Sequence, residues 1–247
     1  MDLAVVTSFD RVNAMFDKAT VGQVLSYQED TYLTEDSSVV LGVDERGALT
    51  LACCLFHPQG GGQPADRGWV EDVAVNPIRD TATGRVVLVP DVDEALVPGW
   101  AVGATVTTRV DRVLRLRHAA LHTAGHLIEA AGRSLGWELA GNNHFPGQAR
   151  IEFTPGEGTV PDSPDRRERA SEALRRFVAE AVICDLAVVS DTGEDGRRVV
   201  SIGQVHAAPC GGTHVRSLAA LAGVELEVKV KKGRIRVSYT AEHVAMP

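Results

Sequence analysis

The chain has 247 residues, of which 44% are hydrophobic and 23% charged, and its formal net charge is −8. This length suits one large domain or two modest ones, and the composition is ordinary for a soluble globular protein. The negative charge disfavours a large polyanionic partner in general, and no apolar run is long enough to cross a bilayer.

The first predicted segment is an N-terminal extension, residues 1–23, to which the sequence assigns no definite structure. It carries Asp2, Asp10 and Arg11 and has no basic region ahead of a long apolar stretch. That pattern is not typical of a signal peptide. We therefore predict a cytoplasmic protein with no membrane association.

Residues 24–109 are predicted to form a small β-barrel. The segment consists of short β-branched runs separated by Gly, Pro, Asp and Asn, which favour turns. The runs are SSVVLGV, GALTLACCLF, GWVEDVAV, GRVVLVPDV and GATVTTRV. Turns at this frequency favour a barrel over a parallel sheet.

Residues 110–247 are predicted to form an α+β domain. The stretch from Val113 to Trp137 has helical periodicity, and a second helix is predicted from Pro164 with Ser163 as its N-cap. The predicted strands are ARIEF between the helices and AVVS, RVVSI, VELEVKV and RIRVSYT after them. The predicted fold class is thus α+β, an N-terminal small β-barrel followed by a domain in which a sheet packs on helices.

Three histidines lie on the first predicted helix. His118, His122 and His126 are spaced four residues apart and form one stripe beside the apolar face. We expect this stripe to face water or line a cleft, with His118 and Glu129 exposed. Two histidines at i and i+4 can share one metal ion, but this spacing alone is a weak signal.

A second pair of possible ligands lies in the segment CGGTH. Its two glycines let the backbone turn sharply, so Cys210 and His214 can converge. A cysteine beside a histidine is also typical of a nucleophile with its base. Together, however, His122, His126, Cys210 and His214 make a complete ligand set for one Zn²⁺ per chain.

The remaining cysteines indicate a reducing compartment. Cys53 and Cys54 are adjacent and cannot easily bridge each other, and Cys184 is expected to be a buried small hydrophobic residue.

Positive charge is concentrated in two stripes on this acidic chain. RVDRVLRLR holds four arginines and one aspartate, and KVKKGRIR holds five cations and no acid. Such stripes can bind phosphates, and they can equally be solvated faces.

Three motifs, FHPQGGGQPADRG, HTAGHL and CGGTHV, occur in an order that resembles the AlaX proteins and the editing domain of alanyl-tRNA synthetase. The resemblance extends from Tyr27 to Tyr239 and includes EDTYL and KGRIRV. The length and the GGGQP variant are similar to the medium-sized AlaX class, in which a barrel precedes the editing fold.

The resemblance implies a zinc-dependent hydrolase that removes serine, and by extension glycine, from mischarged tRNA(Ala) in trans. It implies zinc ligands at the four positions given above and a glycine-rich loop that overhangs the pocket. His214 and Gln63 are the predicted catalytic residues, with His214 as a labile ligand and general base. The predicted substrate-binding residues are Gly60, Gly61, Gly62, Gln63 and Thr31, and the predicted tRNA-binding residues are Arg112, Arg115, Lys231 and Lys232.

The expected partner is the acceptor end of mischarged tRNA, with no dinucleotide cofactor; the sequence makes no prediction about oligomeric state. Thr31, Thr123 and Thr213 are candidates to recognise a serine hydroxyl. The chain departs from the family pattern at Ala52–Cys54, at His57 and at His206, where the family has an aspartate. His206 could be a further ligand.

These departures keep three alternatives open. The first is an editing deacylase for another aminoacyl-tRNA, such as Ser-tRNA(Thr), although the glycine-rich motif favours the alanine branch. The second is a zinc-stabilised tRNA-binding module without hydrolysis. The third is a different small-molecule hydrolase on the same fold.

Overall fold

The computed structural model describes residues 22–93 and 99–244. The described residues form two units. Unit 1 contains those up to Gln59 together with Ala65–Arg115, and unit 2 contains Gly60–Pro64 and those from Leu116 onward. The predicted boundary at residues 109–110 therefore falls within unit 1. The predicted extension, residues 1–23, lies outside the described residues apart from Gly22 and Gln23.

Unit 1 is built around a closed antiparallel barrel, as the sequence predicted. A short helix, α1 (Ser26–Glu29), precedes six strands that pair in the order β1-β2-β5-β4-β3-β6. Their bounds are β1 (Glu35–Val43), β2 (Leu49–Leu51), β3 (Gly68–Val70), β4 (Val73–Arg79), β5 (Val86–Pro90) and β6 (Thr105–Val110). Alternate residues such as Leu49, Leu51, Val86 and Leu88 point inward and form the core of this unit.

Arg115 belongs to the interior of unit 1. Its side chain is fully buried, and its Nε and Nη2 bind the two carboxylate oxygens of Asp66 at 2.9 and 2.5 Å. The carbonyl oxygens of Thr31 and Leu55 accept its other hydrogen bonds. A guanidinium held in this way has no surface left for a phosphate, so the prediction that Arg115 contacts tRNA is wrong.

Helix α2 (Arg112–Ser134) leads into unit 2, where it packs with helix α3 (Pro164–Ile183) and two antiparallel sheets. One sheet has the order β12-β13-β8-β7 and the other β11-β10-β9. The strand bounds are β7 (Trp137–Asn143), β8 (Arg150–Pro155), β9 (Val188–Thr192), β10 (Arg198–Ile202), β11 (His206–Pro209), β12 (Leu221–Lys231) and β13 (Arg234–His243). A 3₁₀ turn, Leu218–Ala220, precedes β12. The chain is therefore α+β, as predicted.

Local signals account for the ends of several elements. The Ser163 hydroxyl accepts a hydrogen bond from the Arg166 backbone at 3.3 Å, and Pro164 occupies the first turn, as predicted for the N-terminus of α3. Lys232 and Gly233 both have positive φ, at 50° and 74°, and form the two-residue turn between β12 and β13. Positive φ at both positions is typical of a type I′ hairpin turn.

Among the described residues, no helix combines the length and apolar character needed to span a bilayer.

Candidate metal centre

Unit 2 brings together the four residues predicted to hold zinc. The Cys210 Sγ lies 3.5 Å from the Nε2 of His122, 3.5 Å from the Nε2 of His126 and 3.3 Å from the Nε2 of His214. The ligand atoms all lie within 4.8 Å of one another. The two histidines of α2 are therefore joined by the CGGTH segment, which follows them by more than eighty residues.

These distances fit a zinc tetrahedron. With Zn–S near 2.3 Å and Zn–N near 2.1 Å, the edge between sulfur and nitrogen is about 3.6 Å. The separations of 3.3–3.5 Å in the chain are close to that value. One thiolate and three imidazoles are also the donors that zinc prefers, so the residues present fit the ion.

Each ligating histidine has a partner near its other ring nitrogen. The Nδ1 of His122 lies 2.7 Å from Oε1 of Gln63, and that of His214 lies 3.1 Å from Oγ1 of Thr123. The Nδ1 of His126 lies 3.6 Å from the Glu129 carboxylate. Partners on Nδ1 direct the Nε2 lone pairs toward a shared ion.

The turn that carries Cys210 is fixed by Arg198. Its Nη1 donates to the carbonyl oxygens of Cys210 and Gly212, both at 2.9 Å. A side chain at Gly212 would collide with the ring of His122 and with Gln63. The glycine is therefore required for close approach, and Arg198 is a site residue that the sequence did not identify.

The glycine-rich loop belongs to unit 2 and forms a tight turn. Gly60 and Gln63 exchange backbone hydrogen bonds of 3.1 and 2.9 Å, and Gly61 and Gly62 have φ of 57° and 80°. A side chain at Gly62 would collide with Asn142. Turn geometry and packing thus explain Gly61 and Gly62, while a side chain at Gly60 would meet no described atom within 4 Å.

Gln63 is enclosed beneath this turn. It is fully buried, and its Oε1 accepts from the Thr213 backbone at 3.0 Å while its Nε2 donates to Oγ1 of Thr213 at 2.9 Å. With His122 also bound to Oε1, Gln63 orients a ligand. Its predicted direct catalytic role has no support in this geometry.

No protein-family model matches the chain. It is 28% identical to the alanyl-tRNA editing protein AlaX-M of Pyrococcus horikoshii over 85% of the chain and 91% of that protein. It is 27% identical to AlaX-M of Methanosarcina mazei over 84% of the chain and 91% of that protein.

The chain is thus similar to AlaX alanyl-tRNA editing proteins over most of its own length and of theirs. It is also 28% identical to the alanine–tRNA ligase of Caldivirga maquilingensis over 89% of the chain, but this covers only 27% of the ligase. The resemblance found in the sequence motifs is therefore confirmed.

The histidine stripe of α2 is enclosed. His118 and Glu129 are only 5% and 4% exposed, so the expectation that they face solvent is wrong. The polar face of the helix is covered at His122 and His126, where Cys210 and His214 of the CGGTH segment pack against them. Cys184 also differs from expectation, since it is exposed, whereas Cys53 and Cys54 are buried.

Burial and neighbouring charges shift the pKa values of the candidate ligands in different directions. Burial lowers the pKa of His126, but the neighbouring Cys210 and Glu129 side chains outweigh burial and raise it to about 9. Burial raises the pKa of Cys210, but His126 outweighs it and holds the pKa below its usual value. Burial and the charge of His126 hold the pKa of His214 well below its usual range. The thiol is thus favoured as thiolate, the form that binds zinc.

His144 is a further residue that the sequence did not identify. Its ring stacks on His122 with centroids 4.3 Å apart, and its Nδ1 lies 2.6 Å from the Tyr239 hydroxyl. Burial lowers the pKa of His144 to about 3, so the ring is neutral. A side chain at Gly125 would collide with this ring, which explains the glycine of HTAGHL.

The other predicted site residues are placed as follows. Thr123 and Thr213 are buried and hold His214 and Gln63, so neither is free to recognise a serine hydroxyl. Thr31 is a buried residue of unit 1, and its role in substrate binding stays a prediction. Arg112, Lys231 and Lys232 are exposed.

The residues that depart from the family pattern lie partly in unit 1 and partly in unit 2. Ala52–Cys54 and His57 are buried in unit 1, where the His57 backbone donates to Asp66 at 2.5 Å. His206 lies in unit 2 with its ring centroid 4.7 Å from that of His126. Burial, together with the charge of His126, lowers the pKa of His206 to about 4.

Proposed function

We propose that this chain is a zinc-dependent aminoacyl-tRNA deacylase that removes serine, and glycine, from mischarged tRNA(Ala). The observation that carries the proposal is the convergence of Cys210 and three histidines at distances that fit one zinc ion. The AlaX-M proteins to which the chain is similar are described as alanyl-tRNA editing proteins, which supports the same substrate class.

Physical chemistry explains why such a hydrolase is needed. A site that accepts alanine cannot strongly exclude serine, which adds one hydroxyl, or glycine, which lacks one methyl. Differences of this size give discrimination of about 10- to 200-fold, so fidelity requires a second, hydrolytic site. The bond to be cut is the ester between the amino acid and the ribose of the terminal adenosine.

Zinc held by His122, His126, Cys210 and His214 would polarise the ester carbonyl and favour attack by water. The chain's own residues prepare this site. Gln63 and Thr123 fix the ring orientations of His122 and His214 through Nδ1. Arg198 holds the turn that carries the thiolate.

His214 is the proposed general base. Four protein ligands close a tetrahedral site, whereas a catalytic site keeps one position open. A labile His214 resolves this conflict, because its Nε2 would then accept the proton of the attacking water while Thr123 keeps hold of its Nδ1. The proposed approach of the amino-acid ester is beside Gly60, where an added side chain would meet no described atom within 4 Å.

The tRNA backbone is proposed to contact Lys231 and Lys232 at the tip of the β12–β13 hairpin. A cavity of about 770 Å³ opens there and is also lined by Arg167, Arg234 and Arg236. Among the described residues, neither lysine has an acidic partner. Cations without partners on an acidic protein are suited to binding phosphates. Arg112, which is exposed at the start of α2, is a further proposed contact.

The test is deacylation of purified, separately charged tRNAs by zinc-loaded protein. We expect release of serine from Ser-tRNA(Ala), slower release of glycine from Gly-tRNA(Ala), and no release of alanine from Ala-tRNA(Ala). His122→Ala should bind little zinc and be inactive. Preferential action on Ser-tRNA(Thr) would favour the other editing branch, and tRNA binding without any hydrolysis would identify a binding module.

A further inference from the structure

His206 is a buried histidine with no hydrogen bond on either ring nitrogen. Its side chain is 5% exposed, and neither Nδ1 nor Nε2 has a partner among the described residues. Buried polar atoms in folded proteins are nearly always satisfied, so two orphaned nitrogens on one ring indicate a bound ion or water. The four-ligand centre does not account for them.

Two other ligand atoms face the same place. The Nδ1 of His126 is buried without a hydrogen bond and lies 3.6 Å from Oε2 of Glu129. One ligand atom from each of His126, Glu129 and His206 lies within 4.8 Å of the others. His126 and Glu129 are 8% and 4% exposed, so the whole group is shielded from bulk water.

The Glu129 carboxylate is oriented toward this group. Its Oε1 is bound by Nη2 of Arg133 at 2.5 Å, which leaves Oε2 on the side of His126. A buried carboxylate flanked by two imidazoles offers one oxygen and two nitrogens. Two histidines and a glutamate are a ligand set that zinc uses in sites that keep a position open.

We infer that His126, Glu129 and His206 form a second zinc site, which shares His126 with the four-ligand centre. His126 would bind one ion through Nε2 and the other through Nδ1. For this its remaining N–H bond must break, with the proton released to solvent and the nitrogen lone pair donated to the second ion. The site does not depend on the proposed hydrolysis and differs from the four-ligand centre in having no sulfur ligand.

The test is a count of zinc ions per folded chain, by equilibrium dialysis followed by elemental analysis. We expect two ions in the wild type, and one in each of His206→Asn and Glu129→Gln. His243→Asn removes a half-buried histidine far along the chain and should still bind two ions, which controls for adventitious zinc elsewhere on the protein.

Cobalt loading separates loss of the second site from loss of the fold. Both variants should keep the thiolate-to-cobalt absorption of Cys210, because the four-ligand centre stays intact. If either variant loses that absorption through misfolding, the other decides. A wild type that binds only one ion at saturating zinc would overturn the inference and indicate a buried water instead. Variants that still bind two ions would overturn it by locating the second ion elsewhere.

Discussion

Gln63 connects the glycine-rich loop to both halves of the metal centre. Its Oε1 faces His122 Nδ1 at 2.7 Å and the Thr213 backbone at 3.0 Å. Since the Thr213 N–H can only donate, Oε1 is an acceptor, and His122 must carry its proton on Nδ1. That leaves a lone pair on Nε2 of His122, which faces Cys210 Sγ across the candidate metal centre.

Replacing Gln63 therefore has a predictable effect on zinc. In Gln63→Ala the orientation of His122 is lost, and we expect zinc affinity to fall by about 10- to 100-fold, the usual cost of losing such a partner. Competition with a chromophoric chelator measures the change. Gln59→Ala is the matched control, since Gln59 is exposed and precedes the turn. Equal affinities in the two variants would show that Gln63 does not orient the ligand.

The cysteines differ enough to be distinguished chemically. Cys54 is fully buried, and burial raises the pKa of its thiol to about 12, so at pH 8 it is protonated and inaccessible. Cys184 is exposed. We expect iodoacetamide at pH 8 to label Cys184 in the folded, zinc-loaded protein and Cys54 only after denaturation, as read by mass spectrometry. Labelling of Cys54 as fast as Cys184 would contradict the buried placement.

At the scale of elements, sequence patterns predicted those that leave a periodic or capping signal. The barrel strands, helix α3 with its Ser163 cap, and the β12–β13 hairpin all have such signals. Strand β7 has none, because Trp137 is its only buried residue. Strand β11 has none either, since it is four residues long and only His206 is buried.

In the candidate site, too, residues with a sequence signal were predicted and residues without one were not. The four candidate ligands and the glycine-rich loop were predicted because two ligand pairs occur together and three motifs follow one another in a specific order. His144, Arg198 and the burial of Glu129 could not be predicted, because they depend on contacts between segments that are distant in the chain. The burial of Arg115 was missed for the same reason, since its partner Asp66 lies far upstream.

The Arg115–Asp66 pair should be a main support of unit 1. Removing one partner leaves the other as an unpaired buried charge, so Arg115→Met should reduce the free energy of unfolding by about 3–5 kcal/mol. Urea denaturation monitors the loss. Arg112→Met, at the exposed start of α2, should change stability little. If both variants unfold at the same urea concentration, the pair does not stabilise the unit.

At the scale of the whole molecule, the negative net charge opposes the proposed binding of tRNA. A protein with a charge of −8 repels a polyanion at long range, so tRNA binding requires a local concentration of cations. The paired register of Lys229 with Arg236 and Lys231 with Arg234 places four cations on one exposed face of the hairpin. Arg236 and Lys229 are partly neutralised by Glu152 and Glu227, each at 2.7 Å. The free charge is therefore concentrated at the tip, on Lys231, Lys232 and Arg234.

Because the free positive charge lies at the hairpin tip, replacing the two tip lysines should weaken tRNA binding more than replacing other cations. In the double variant Lys231→Ala and Lys232→Ala, affinity for tRNA should fall and the slope of log affinity against log salt should become shallower by about one per lost phosphate contact. Zinc content should not change, because neither lysine is near the metal ligands in the chain or the hairpin register. The control is Arg175→Ala with Arg176→Ala, which removes the same charge from α3, where both arginines pair with glutamates.

Filter binding over a range of salt concentrations compares the lysine variant with this arginine variant. Equal losses would mean that net charge alone governs binding, whereas a loss confined to the lysine variant would locate the phosphate contacts at the hairpin.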